Sequence, residues 1–394
     1  MVNAEKSARE PLFHISRRDD LVWWKRLIIR IVTVVLAFLI AGVLSYLLIG
    51  VDPFNFIGKL FTGTFGTDRR AWISLRDLAV LLCIALALVP AFKMKFWNIG
   101  AEGQVLMGGL GAAICMHYLG GRVPDAVVYL CMVFAGLLFG MVWGVLPAVC
   151  KAFWKTNETL FTLMMNYVAV QLIAFFTDTW VKDGSGVLKN ETHLNGIRFP
   201  ELGNAYVLPI LVAVLLAVAI FVYLRYSKQG YELCVVGESE NTARYVGINV
   251  RKVIIRTMAI SGAICGLTGV LLTGAINGTV TTQTAGGQGF TAIIVAWIGK
   301  FNPAFMVLSA FLIIFLDRGT NELNLTNDAF SAIVTALVVF FIIGCEFFIS
   351  YRIKFRHTEK RTERTPPPDG PGERPSVEEG APRQSEQNYP EVQA

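Results

Sequence analysis

The sequence predicts an all-α integral membrane protein with about ten transmembrane helices, and three observations carry that expectation. Hydrophobic residues make up 54% of the 394 and charged residues 16%, with a mean hydropathy of +0.54, whereas a soluble domain is usually nearer a quarter charged. Apolar runs recur at about 27–51, 78–92, 98–119, 126–150, 158–178, 206–224, 257–276, 288–299, 303–316 and 328–350, several of them near the ~20 residues that cross a bilayer. One long polar interval, Arg225 to Arg256, interrupts the series.

Residues 1–26 are polar and basic (Lys6, Arg9, Arg17, Arg18, Lys25, Arg26) and form an N-terminal segment expected in the cytoplasm. The apolar run that follows exceeds a signal-peptide core and lacks a small-residue cleavage site, so it is expected to be retained as a first span, with Trp23 and Trp24 at the interface. The interval Asp52 to Asp77 is expected outside, as a shallow amphipathic segment. Ten spans return the C-terminus to the cytoplasm. That orientation puts Lys93, Lys95, Lys151, Lys155, the 225–256 interval and Lys300 inside, as the basic bias of cytoplasmic loops requires.

Gly136, Gly140 and Gly144 recur at steps of four in one run, and Gly262 and Gly266 in another; such stripes let helix backbones approach closely. The stretch 179–205 is long, polar and rich in Gly and Asn, the character of an exposed loop that could dock an external partner. After Tyr351 a Pro-, Glu- and Arg-rich tail, 351–394, has too few apolar residues to offset its ordering entropy and is expected to be disordered. Domain boundaries are thus 1–26, a membrane domain over 27–350, and 351–394.

The polar interval is about thirty residues long, more than a connection needs. Arg225, Lys228, Arg244, Arg251, Lys252 and Arg256 outnumber Glu232, Glu238 and Glu240, so it is expected inside. Val236, Ala243, Val246 and Ile248 form an apolar stripe that suggests a short amphipathic helix closed by Gly247.

Three constellations are candidates for the transport path. In the first, Phe96 to Gln104 (FWNIGAEGQ), two glycines and the side chains of Asn98, Glu102 and Gln104 open an otherwise apolar run. A carboxylate costs ~2.5–3.5 kcal/mol at the centre of a spanning helix, so Glu102 needs a partner or a water-filled path, unless it sits in a first helical turn where the dipole favours it. In the second, Glu158, Thr162 and Asn166 are four apart and share a helical face. The third, Thr281 to Phe290, holds Gln283 and Gln288 in a glycine-rich string between short apolar runs. Runs 288–299 and 303–316 are short for full spans, the pattern of discontinuous half-helices beside a substrate path.

These strings resemble the permease subunits of ABC importers of the ribose, branched-chain amino acid and nucleoside group. Gly230, Gly237, Glu238, Asn241, Ala243, Arg244, Gly247 and Ile248 match the family's cytoplasmic coupling segment, which implies docking to a separate ABC ATPase subunit. The string FWNIGAEGQ is similar to the signature of the nucleoside and simple-sugar branch. The resemblance therefore implies an ABC importer permease fold in a bacterial cytoplasmic membrane. It also implies a second, different permease and an external lipoprotein or periplasmic binding protein as partners. The expected cargo is a nucleoside, with simple sugars such as ribose as the alternative and secondary transport as a more remote one.

No phosphate-binding GxxxxGK[ST] loop occurs, and neither does a His-Glu-X-X-His motif or a nucleophile elbow. An enzyme is therefore not expected: this chain binds no cofactor, and ATP is used by the partner ATPase. Seven cysteines are scattered without CxxC or metal-ligand spacing, so no metal site is expected. Basic residues lie at span ends and in the tails, where a membrane protein needs them, so nucleic acid is not an expected partner.

Overall fold

The computed structural model describes residues 13–17, 23–182, 188–201, 203–322 and 328–355. The chain divides into two units. One comprises Met1–Ser16 with Arg352–Ala394, and the other, Arg17–Tyr351, contains every described helix. Strands β1 (Phe13–Arg17) and β2 (Tyr351–Phe355) pair in a two-stranded sheet. Both alternate apolar and polar residues, Phe13 and Ile15 in one and Tyr351, Ile353 and Phe355 in the other, the period of a strand. The first five residues of the segment expected as a disordered tail are therefore a strand; residues 356–394 lie outside the described residues.

In the larger unit the helices are α1 (Trp23–Ile49), α2 (Pro53–Phe65), α3 (Asp68–Lys93), α4 (Ala101–Leu119), α5 (Asp125–Trp154), α6 (Glu158–Trp180) and α7 (Asn190–His193). They continue as α8 (Val207–Tyr226), α9 (Lys228–Glu238), α10 (Glu240–Tyr245), α11 (Val250–Val270), a π-helical extension (Leu271–Asn277), α12 (Gln288–Ile298), α13 (Pro303–Asn321) and α14 (Asp328–Ser350). Each of the ten apolar runs coincides with a helix. Among the described residues six helices are long and apolar enough to cross a membrane: α3, α5, α6, α8, α11 with its extension, and α13. The apolar window of α3 is 83% buried and that of α11 with its extension 61%, against 22% for α5 and α6 and 17% for α8, so α3 and α11 run inside and α5, α6 and α8 lie further out. The amphipathic segment expected over 52–77 is α2 together with the start of α3.

The glycine stripes set the closest helix contacts. A Cβ on Gly140 of α5 would lie 2.6 Å from Gly266 Cα and still nearer Gly262 O, and one on Gly269 would meet the backbone of Val105 and Gly109. Helices α4, α5 and α11 thus touch main chain to main chain, as small residues permit where lipid supplies no hydrophobic drive.

The pair of expected half-helices is only half right. Helix α12 has 11 residues, about 16 Å at 1.5 Å per residue, too short to span. Helix α13 has 19 and continues past the apolar run because Arg318, in its last turn, pairs with the buried Asp77 of α3. The ten residues before α12 are non-helical, with left-handed Gly278, Gly286 and Gly287. Val280, Thr284 and Ala285 are buried against the rest of the chain, the setting in which non-helical backbone is tolerated at membrane depth.

Candidate functional site

The turn between α3 and α4 gathers most of the expected path residues. Asn98 is fully buried, and its amide and that of Gln104 bind each other: Gln104 Nε2 donates to Asn98 Oδ1 at 3.1 Å, and Asn98 Nδ2 to Gln104 Oε1 at 3.3 Å. Asn98 Nδ2 also faces Ser261 Oγ of α11 at 3.4 Å. From α6, Asn166 Nδ2 donates to Ile99 O at 3.0 Å while its Oδ1 accepts from Gly103 N at 2.9 Å, and Thr162 Oγ1 accepts from Ile99 N at 3.2 Å. Of the i, i+4 face read from the sequence, Thr162 and Asn166 stitch α6 to this turn and Glu158 does not.

Glu102 lies in the first turn of α4, where the helix dipole favours an acid. It also has partners: Oε1 accepts from Gly287 N and Oε2 from Gly289 N, both at 2.7 Å. Both alternatives considered for it hold together. Gln288, between those glycines, is half-buried and its Oε1 has no partner among the described residues. Gln283 is exposed, and its backbone N–H donates to Thr281 Oγ1 at 3.3 Å.

Glu158 goes elsewhere. It starts α6 behind the N-cap Asn157 and pairs with Lys151 Nζ at 2.8 Å, on the wall of a cleft of about 220 Å³ that Lys95, Glu238, Ser239 and Glu240 also line. Its place is thus beside the polar interval rather than with Glu102, because Asn157 caps the helix one residue earlier, at the end next to α9.

The polar interval forms two helices where one was expected. Ser227, Ser239 and Asn249 cap α9, α10 and α11 in succession, accepting from Gly230 N, Thr242 N and Lys252 N. Ser239 is extended (φ −158°), which ends α9. Gly247, with φ +84°, follows α10 as expected, and nothing lies within 4 Å of where its Cβ would be. Val236 and Ala243 are buried in a cluster with Ala91, Met94, Ala148 and Ile254, and Ile248 packs against it, so this part of the apolar stripe faces this chain's own α3, α5 and α11, while Val246 does not. Gly230 and Gly237 are contact points as well: a Cβ would strike Tyr223 O on the first and Lys93 O on the second. Arg256 of α11 locks the block through Glu232 at 2.9 Å. Facing solvent are Glu238, Asn241, Arg244, Tyr231 and, most exposed, Tyr245 at 92%, with Val246 at 65%; Ile248 is half-buried.

Ser261 and Asp77 were missed by sequence reading. Ser261 is a hydroxyl next to Gly262 in an apolar run and could have been found as a polar group in need of a partner. Asp77 follows Arg76, which pairs with it at 2.8 Å, but its second partner, Arg318, is 241 residues away.

Asn166→Ala would leave Ile99 O and Gly103 N without their partner. Stranding buried polar groups costs ~1–3 kcal/mol each, so a lowered melting temperature of the purified protein is expected, with Asn166→Asp recovering part of it through the retained Gly103 contact.

A protein-family model described as "Branched-chain amino acid transport system / permease component" matches residues 71–343. A guanosine ABC transporter permease of Bacillus subtilis is 29% identical, over 84% of this chain and 95% of its own length. A glucose ABC transporter permease of Haloferax volcanii is 27% identical, over 82% of this chain and 88% of its own. A nucleoside ABC transporter permease of Lactococcus lactis is 24% identical, over 86% of this chain and 97% of its own. With the family model spanning the turn at Asn98, the broken crossing before α12 and the α9–α10 block, this chain belongs to the permease component family of branched-chain amino acid-type transport systems, a family of transport permeases and not of enzymes.

Proposed function

We propose that the chain is the larger of two different permease subunits in an ATP-driven nucleoside importer of a bacterial cytoplasmic membrane. The observation that carries this reading is the α9–α10 block: three successive caps and the Arg256–Glu232 pair hold it rigidly on α3, α5 and α11, while Tyr231, Tyr245 and Val246 remain open to a partner. Such a block can pass the movement of an attached ATPase to the spans. ATP is consumed by that partner; this chain supplies the path. Cargo arrives from an external lipoprotein or periplasmic binding protein and passes the exposed face of 281–288. The alternative cargo, a simple sugar, is favoured by the glucose permease among the relatives. Secondary transport fits poorly, since Glu102 and Glu158 are both engaged, by two backbone amides and by Lys151.

Uptake of labelled guanosine into cells expressing the whole importer tests the cargo. Expected is saturable uptake competed by other nucleosides and not by excess ribose; competition by ribose alone would move the assignment to sugars. In the proposed orientation Lys228 and both termini are cytoplasmic and Lys189 is external. In a cysteine-free background, Lys189→Cys is expected to react with an impermeant maleimide in intact cells and Lys228→Cys is not.

A further inference from the structure

Helix α12 begins without a cap of its own. Its N-cap residue is Gly287, in the left-handed region at φ +77°, and the preceding ten residues are non-helical. The free N–H groups of a first turn need acceptors, and here a side chain 185 residues away in sequence provides them: Glu102 takes Gly287 N and Gly289 N with its two oxygens. Because Glu102 also sits in the first turn of α4, one carboxylate lies at the positive ends of two helices. The approach is so close that a Cβ on Gly289 would lie 2.7 Å from Glu102 Cα.

On the N-terminal side of this grip the chain is built to bend. Upstream, a π-helical turn (Leu271–Asn277), a backbone form common at functional sites, gives way to left-handed Gly278; left-handed Gly286 and Gly287 follow at the near end. Gln288, between the two gripped amides, keeps a buried oxygen without a partner among the described residues. Thr281, Gln283 and Gly286 form the exposed side of the same segment.

We infer that Glu102 is a positioning residue for transport: it latches the broken crossing 278–298 in the present state, and release of its two bonds to α12 is the movement that changes access along the 281–288 face. This rests on the importer reading for its use in transport, but the latch itself belongs to the permease alone.

Hydrogen–deuterium exchange of the purified permease in nanodiscs reads the latch directly. In Glu102→Gln, which keeps the size but loses the charge and one acceptor, exchange over 286–292 is expected to rise about tenfold, the effect of losing one hydrogen bond to a charged group, with 136–144 and 262–269 unchanged. Should that variant fail to accumulate, Glu102→Asp, which keeps the charge one methylene further back, carries the same test. Unchanged exchange over 286–292 would overturn the latch. A second arm compares the wild-type permease, purified with its ATPase, with and without a non-hydrolysable ATP analogue. Exchange over 286–292 is expected to differ between the two; identical exchange would make Glu102 a static clamp and overturn the inference. Nucleotide-dependent exchange without nucleoside uptake would leave the latch standing and remove the cargo assignment.

Discussion

Gly140→Val is expected to leave little folded protein in the membrane, and Gly140→Ala to lower the yield and the melting temperature. The reason is geometric. The first added carbon would meet Gly262 O and Gly266 Cα of α11, which are main-chain atoms that cannot turn aside. Overpacking costs ~1–3 kcal/mol where side chains can rearrange, so the valine is expected to exceed that range. Helix α5 would have to move off α11 and give up the contacts that Gly136 and Gly144 make on either side. Gly58 of α2 is the control: nothing lies within 4 Å of its Cβ position, and alanine there should leave folding unchanged or raise stability by ~0.5–1 kcal/mol through helix propensity. Monodispersity on size exclusion and thermal melting of the three variants decide the matter.

Ala243→Asp has an effect of comparable size by a different route. Ala243 is fully buried between α10 and the ends of α3, α5 and α11. The cluster around it is made of apolar side chains, and an uncompensated buried charge costs several kcal/mol. The block should detach from the spans, seen as new protease cleavage between Ser227 and Asn249 while the membrane helices stay intact. Ala243→Val, an apolar enlargement, should be milder. Protease resistance equal to wild type in Ala243→Asp would mean that the block is not packed as described.

The outline of the fold was legible because hydrophobic periodicity is local. Ten apolar runs became ten helices, and the two glycine stripes, legible only as packing faces, turn out to face each other. Boundaries failed where a distant residue decides them: α13 runs on to Asn321 because Arg318 reaches Asp77, and hydropathy along the chain cannot register that pair. The polar interval shows the same limit. Its apolar stripe was visible, but periodicity says only that Val236 and Ala243 are buried, not whether this chain or a partner buries them. The capping residue Ser239, which splits the expected single helix, was in plain view and outweighed by the stripe.

At the candidate site, residue identity was easier to read than residue role. Asn98, Glu102, Gln104 and Asn166 do come together, because an amide or carboxylate in an apolar run must find a partner and the polar groups of neighbouring helices are the partners available. That requirement says nothing about whether the partner is cargo or protein. Here most of their bonding capacity goes to backbone and to one another, which leaves Gln283 and Gln288 as the side chains with polar atoms still to be engaged.

The central claim is that ATP hydrolysis reaches the spans through the solvent-facing side of the α9–α10 block. Its most direct test is a single preparation of the importer carrying Tyr245→Asp and Val246→Asp, two changes at exposed positions that leave the buried side of the block untouched. The protein should fold and melt as wild type, yet fail to retain the ATPase on copurification and lose ATP-driven uptake. Full recovery of the ATPase together with wild-type uptake would contradict the claim.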